Sequence, residues 1–345
     1  MNGQSEPSWR MEGAMRARQI VMLFLGILLV TMLVSCQKQF HEETERYFFV
    51  AANINLPYWQ EAQAGFEDSG RGLGVKVEFT GPTSYAPEEQ LAAFRQAVAA
   101  RPSGILLAPT RPEVFSKEID AAVQAGIPVI CVDSDAPDSR RILFIGTDNA
   151  HAGNQGGRRL AEILKGQGQI AVITIPGQLN LEERRQGAEA AFQKYPGIKI
   201  TKTIDDKGDP RIANDAISAM LEKKEKLDGI LCLEASGGPG AAEVLHRLNM
   251  DGKIPIVAMD KSQETLDWIS RGAIAATVAQ KSYTMAFYGL RFLDDLHHNV
   301  VHEFKDWKTA PVSPLPANVD TGTAVIDQHN LADFQAAVAE RRKPL

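Results

Sequence analysis

Cysteine is scarce in this chain, with three among 345 residues. A disulfide-built scaffold is therefore excluded. With no Cys-x-x-Cys pair and no clustered Cys/His spacing, no metal site is expected. Cys131 and Cys232 each fall inside an apolar run and read as small core residues rather than a bridge. His297-His298, among Asp294, Asp295 and His302 at a helix end, reads as solvated surface. An excess of basic charge is also missing. Thirty-seven Lys and Arg against 43 Asp and Glu leave a formal net of −6. No basic stripe of the kind nucleic acid requires is present, so no nucleic-acid partner is expected. Catalytic signatures are absent as well: no Gly-x-Ser-x-Gly elbow, no His-Glu-x-x-His, no Walker loop. The Gly-rich stretch Ser236-Gly237-Gly238-Pro239-Gly240 lacks the Gly-Lys-Ser/Thr of a phosphate cradle. The chain is thus not expected to be an enzyme, and no cofactor is expected. One enzymatic alternative is a glycosidase pair made of Asp133 and Asp260, for which no further signal exists.

A comfortable membrane span is lacking too. The apolar run from Ile20 to Val34 is short for a bilayer, follows Arg10, Arg16 and Arg18, and ends in Leu33-Val34-Ser35-Cys36. This reads as an export signal over residues 1–36. Its end resembles a bacterial lipobox, in which the Cys36 thiol would carry lipid; a plain anchor helix with an incidental cysteine is the alternative. Met15 is a second candidate start. Residues 37–45 are polar and read as a tether.

What the chain does contain is organised around Ile127-Pro128-Val129-Ile130-Cys131-Val132-Asp133. An apolar, β-branched run follows a Gly-Ile-Pro entry and stops on a carboxylate. That is a strand buried on both faces, ending where ligands bind in an open parallel sheet. Ile256-Val257-Ala258-Met259-Asp260 repeats the pattern. From Arg46 onward strands and helices alternate, and 44% hydrophobic content suffices for two cores. The fold class expected is α/β, with two doubly wound parallel-sheet lobes. Pro57, Pro87 and Pro210 each open a helix, where the missing N–H costs nothing. Residues 310–316 are Pro-rich and irregular, residues 317–326 are expected to form one strand, and residues 330–340 a last helix.

Four stretches carry a family resemblance. They are Asn53-Ile54-Asn55-Leu56-Pro57-Tyr58-Trp59; Gly126-Ile127-Pro128 through Asp133; Arg184-Arg185-Gln186-Gly187; and Ile256 to Asp260 followed by Ala275 to Gln280. In this order the chain resembles the type I periplasmic solute-binding proteins, near the ribose- and galactose-binding branch, which shares its fold with the effector domains of lac-repressor-like regulators. The resemblance covers Arg46 to Ala339. It implies two Rossmann-like lobes joined by a three-strand hinge, with crossings near Thr147, near Gln280 and between Ala310 and Val319. The helix from Ser282 to Leu296 would then return to the first lobe. The N-terminal lobe would comprise 46–147 plus 281–310, and the C-terminal lobe 148–280 plus 311–340.

A sugar offers hydroxyls around its rim and C–H faces, which suit carboxylates, amides, Arg and aromatic planes. The ligand set implied is Asn53, Tyr58, Trp59, Asp133, Arg184, Glu234, Asp260 and Gln280. Other roles are open for several of them. Asn53 could form a turn, Tyr58 and Trp59 a hydrophobic staple, Asp133 a helix cap, and Arg184 a surface pair with Glu. Glu234 replaces an amide common in the family, and Ser134 stands where the ribose branch has a second Arg. The function expected is a lipid-anchored substrate-binding protein, monomeric and exported. It would pass a monosaccharide or polyol to an ABC permease. The alternative is a receptor that presents its ligand state to a membrane sensor kinase.

Overall fold

The computed structural model describes residues 41–341. The leader, Cys36 and most of the tether lie outside the described residues. Residues 44–341 form one compact unit, built from two six-stranded sheets.

The first sheet begins with β1 (Arg46–Val50), β2 (Lys76–Thr80), β3 (Gly104–Leu107), β4 (Val129–Val132) and β5 (Leu143–Gly146). Between them run α1 (Pro57–Leu73), α2 (Pro87–Ala99) and α3 (Pro112–Gln124). Proline sits at the first turn of each of these helices, at Pro57 and Pro87 as the sequence predicts and at Pro112 in addition. The second sheet takes β6 (Gln167–Thr174), β7 (Gly197–Asp205), β8 (Gly229–Cys232), β9 (Ile256–Met259) and β10 (Ala276–Ala279). Its helices are α4 (Asn149–Ile163), α5 (Leu179–Phe192), α6 (Pro210–Glu222), α7 (Gly237–Arg247) and α8 (Gln263–Ser270). Then come α9 (Ser282–His297), β11 (Asn318–Asp320), β12 (Ala324–Asp327) and α10 (Leu331–Arg341).

Both sheets have the same plan. The first runs β11-β5-β4-β3-β1-β2 and the second β12-β10-β9-β8-β6-β7. Every pairing is parallel except β12 on β10. Central strands such as β3, β4, β8 and β9 are buried at every position, because helices cover both faces. Cys131 and Cys232 are free thiols within these strands.

The chain passes between sheets after Gly146, after Ala279 and after Asp320. The second passage returns α9 to the first sheet, where Met285, Leu290 and Leu293 join the core formed by Tyr47, Phe49 and Leu106. The third passage corrects two expectations. Residues 317–326 are not one strand, and residues 311–320 do not belong to the second lobe. Asn318–Asp320 pairs in parallel with β5, so the chain stays on the first sheet about ten residues longer than expected. The break comes at Gly322, whose φ of 74° no extended strand can hold; its N–H is taken by the Asp320 carboxylate. The proline-rich stretch before it looked like the crossing but is only a loop. His298 is a further correction. Its side chain is 13% exposed, and Nε2 lies 3.2 Å from the Glu45 carboxylate, itself buried, so the ring is packed rather than solvated.

Candidate functional site

The carboxyl ends of the two sheets face each other, and the residues that follow β4 and β9 set the site. Asp133 has φ 66° and Asp260 φ 68°, in the left-handed region that non-glycine residues seldom occupy. Each is held there by the neighbouring strand. The Asp133 N–H donates to Ile145 O at 3.0 Å, and the Asp260 N–H to Val278 O at 2.9 Å. The same unusual turn at equivalent positions aims both carboxylates into the cleft. Strain of this kind persists only where surrounding contacts enforce it, and it clusters at functional sites.

Arg184, on α5, lies between the two acids and is 2% exposed. Its Nε donates to Asn149 Oδ1 at 2.9 Å, Nη1 to Leu233 O at 2.9 Å, and Nη2 to Gln280 Oε1 at 2.8 Å. Gln280 in turn donates from Nε2 to Asp260 Oδ1 at 2.9 Å. The guanidinium can reach this depth because α5 approaches α4 closely. A Cβ on Gly187 would meet the Ala150 carbonyl oxygen at 2.0 Å. The Arg-x-x-Gly spacing therefore has a mechanical meaning: the glycine admits the helix contact that holds the arginine in the floor of the cleft.

On the first-lobe side, the Tyr58 hydroxyl donates to Asp133 Oδ1. Burial pushes the Tyr58 phenol well above its usual range, and the Asp133 charge adds to this, so it stays a donor. Trp59 is 6% exposed and packs edge-on to Phe49 and Tyr58. Asn53 accepts from the Asn55 N–H at 3.0 Å and so forms a turn while also facing the cleft. Across the cleft, the Glu234 carboxylate accepts from the N–H groups of Ser236 and Gly237 at 2.6 and 2.5 Å.

All eight residues singled out in the sequence line one cavity of about 70 Å³ between the lobes. Trp59 is the least committed to it, being mainly a core residue of the first lobe. The same cavity has walls that sequence reasoning missed, among them Tyr85, Gln178, Asn180 and Lys207. Asn180 matters most, since its Nδ2 donates to Asp133 Oδ2 at 3.2 Å and bridges the lobes directly. Lys261 and Glu61 add an ion pair across the cleft. A larger space of about 310 Å³ opens alongside and shares Tyr58 and Asp260 with the inner cavity.

Electrostatically the cavity is acidic. Burial raises the Asp133 carboxyl above its ordinary range, with Arg184 and the Tyr58 hydrogen bond opposing. Burial likewise pushes Asp260 up to about 7, against the pull of Arg184 and the Gln280 hydrogen bond; the Asp133 charge adds to the rise. These groups are acceptors in search of donors. A ring of hydroxyls supplies them.

A family model described as a periplasmic binding protein domain matches residues 47–298. The D-allose-binding periplasmic protein of Escherichia coli K12 is 26% identical over 280 residues, which is 78% of this chain and 88% of that protein. Among solved structures, AraP, an arabinose-binding protein from Geobacillus stearothermophilus, is 37% identical with a TM-score of 0.70, over 84% of this chain and 99% of that one. A structure described as a XylFII-LytSN complex is 26% identical with a TM-score of 0.74, covering 83% of this chain and 98% of the other.

Proposed function

Since this chain belongs to the periplasmic binding protein domain family, on the type I fold of the ribose- and galactose-binding branch, we propose that it captures a monosaccharide or similar polyol between its lobes and delivers it to an ABC importer. The observation that carries the reading is the pair of strained aspartates, one per lobe, aimed into a single cavity with Arg184 between them. No one lobe could surround a small ligand with all of these groups. Satisfying the ligand's hydroxyls therefore requires the lobes to approach, and the three chain crossings serve as the hinge. Apart, the lobes would leave the acids in water; together and empty, they leave them poorly solvated. Ligand shifts that balance by its greater affinity for the closed form.

The test is a thermal-shift screen of the exported domain against neutral sugars and polyols. A ligand at one hundred times its Kd adds about 2.7 kcal/mol. Asp133→Ala should weaken capture by about 1.5–3 kcal/mol, the range for hydrogen bonds to a charged group. Scattering should report a smaller radius of gyration with ligand. No stabilisation by any sugar, or an Asp133→Ala variant with unchanged affinity and intact fold, would remove this reading.

Lipid attachment at Cys36 is part of the same proposal, motivated by the short apolar run ending at Leu33-Val34-Ser35-Cys36. Labelled fatty acid should enter the wild type and not Cys36→Ser. Equal labelling of both sinks the anchor.

A second reading draws on the XylFII-LytSN complex, in which a protein of this fold is bound to another protein. Under it, the closed form would be presented to a membrane sensor kinase. Co-purification of the sugar-loaded protein with a permease or with a kinase separates the two.

A further inference from the structure

The carboxylates of the inner cavity differ in how far the protein already satisfies them. Both Asp133 oxygens have donors, from Tyr58 and Asn180, and both Glu234 oxygens are held by the backbone N–H groups of Ser236 and Gly237. Asp260 is less complete. Its Oδ1 accepts from Gln280, and among the described residues no group donates to its Oδ2. The residue is 5% exposed. A buried oxygen of this kind calls for a donor, and a ligand hydroxyl is one.

Asp260 stands at a border. It lines the inner cavity of about 70 Å³ and also the outer one of about 310 Å³, as Leu56, Tyr58 and Ala235 do. A ring bound to Asp260 from the inner side therefore opens onto a much larger space. That space has two kinds of wall. Its apolar part comes from Leu56 on the first lobe and from Leu266, Phe334 and Val338 on the second. Phe334 and Val338 lie one turn apart on α10 and so share a face. Its polar part is the Glu61–Lys261 pair, which crosses between the lobes. The Glu61 carboxylate also accepts from the Ser282 hydroxyl at 2.7 Å, so this rim is fixed.

An apolar surface beside a fixed polar rim suits a sugar ring, whose C–H face packs on the one and whose hydroxyls bond the other. A purely apolar tail would leave the rim unused. A charged group would meet an ion pair that already balances itself.

We propose that the outer cavity is a second sugar subsite, so that the ligand class is a disaccharide with one ring in the inner cavity, one in the outer, and Asp260 at the junction. The inference rests on the sugar-binding reading above and deepens it. Both lobes wall the outer cavity, so the second ring, like the first, is gripped only when they come together.

Titration calorimetry decides it. Cellobiose, lactose, melibiose, xylobiose and arabinobiose are compared with glucose, galactose, xylose and arabinose. At least one disaccharide is expected to bind about tenfold or more tightly than each of its component sugars. Val338 lines the outer cavity and not the inner one. Val338→Trp should therefore cut that disaccharide's affinity by about tenfold or more and leave a component sugar within roughly twofold. Phe334→Ala should weaken the disaccharide in the same direction. Thermal melts confirm that each variant folds; if one does not, the wild-type comparison alone decides. A component sugar that binds as tightly as every disaccharide containing it, or a disaccharide preference untouched by both variants, overturns the subsite and leaves sugar capture standing. A phenyl glycoside that gains as much as the disaccharide overturns it too, because an apolar patch would then account for the gain. Failure of both series to bind overturns both readings.

Discussion

Arg184→Met is expected to destabilise the unliganded protein by about 3–5 kcal/mol, the cost of removing one partner from a buried, charged network. The side chain volume is nearly kept, so packing is not the main loss. What goes is the set of donors for Leu233 O, Asn149 Oδ1 and Gln280 Oε1, together with the one buried positive charge between Asp133 and Asp260. Melting temperature should fall on the order of 10 °C. Ligand capture should be lost. Adding Asp260→Asn to the variant should restore part of the stability, because the second change removes a charge the first left uncompensated; sites in contact are not additive. Chemical denaturation of the wild type, both single variants and the double variant gives the coupling directly. An Arg184→Met protein within 1 kcal/mol of wild type would mean that the network does not hold the cleft floor.

The second large effect is a dependence of stability on pH that runs opposite to the usual carboxylate case. Asp260 titrates near its ordinary value when unfolded and at about 7 when folded. Between those values the native state binds more protons than the unfolded chain, so stability falls as pH rises from about 4 to about 7 and stays low above. Asp133 and Asp206 shift in the same direction, and for both the first cause is burial. The Asp260 contribution alone is on the order of 4 kcal/mol. Denaturation at pH 5 and pH 8 should show the loss in the wild type, and a clearly smaller loss in Asp260→Asn. Bound ligand donors favour the charged carboxylates, so ligand should flatten the profile and release protons on binding near pH 7. Identical pH profiles for the wild type and Asp260→Asn would refute the assignment.

Much of the architecture was legible because burial on both faces leaves a plain mark. Runs such as Val129–Val132 and Ile256–Met259 are apolar throughout, and the aspartate that stops each one marks the end of the sheet. The α9 return to the first lobe came from the resemblance, since helical periodicity does not say which sheet a helix covers. Cross-cleft partners were not legible. Asn180 stands ahead of Leu181, where polar residues commonly begin helices, and only the closed arrangement of the lobes puts it beside Asp133. Asp206 sits in Asp205-Asp206-Lys207-Gly208-Asp209, which has the composition of a solvated turn. Nothing local distinguishes the buried acid from its exposed neighbour Asp205. The split of 317–326 was hidden because three residues carry the whole passage, and a strand broken by one glycine looks like a strand with a bulge.

The passage of α9 back to the first sheet has a consequence for the order of assembly during synthesis. A chain that has emerged only as far as Gln280 holds five strands of the second sheet and both of its helical layers. Its first sheet, although made earlier, still lacks the helix whose Met285, Leu290 and Leu293 cover Tyr47 and Leu106, and it lacks the edge strand β11. The older lobe must therefore wait for the younger one, with an apolar face bare and a strand edge open. Contacts such as that of Tyr47 with Asp294, 247 residues apart, close late, and the exposed surface is the kind that invites aggregation. A protein wired in this way gains by being kept unfolded until its last fifth has been made.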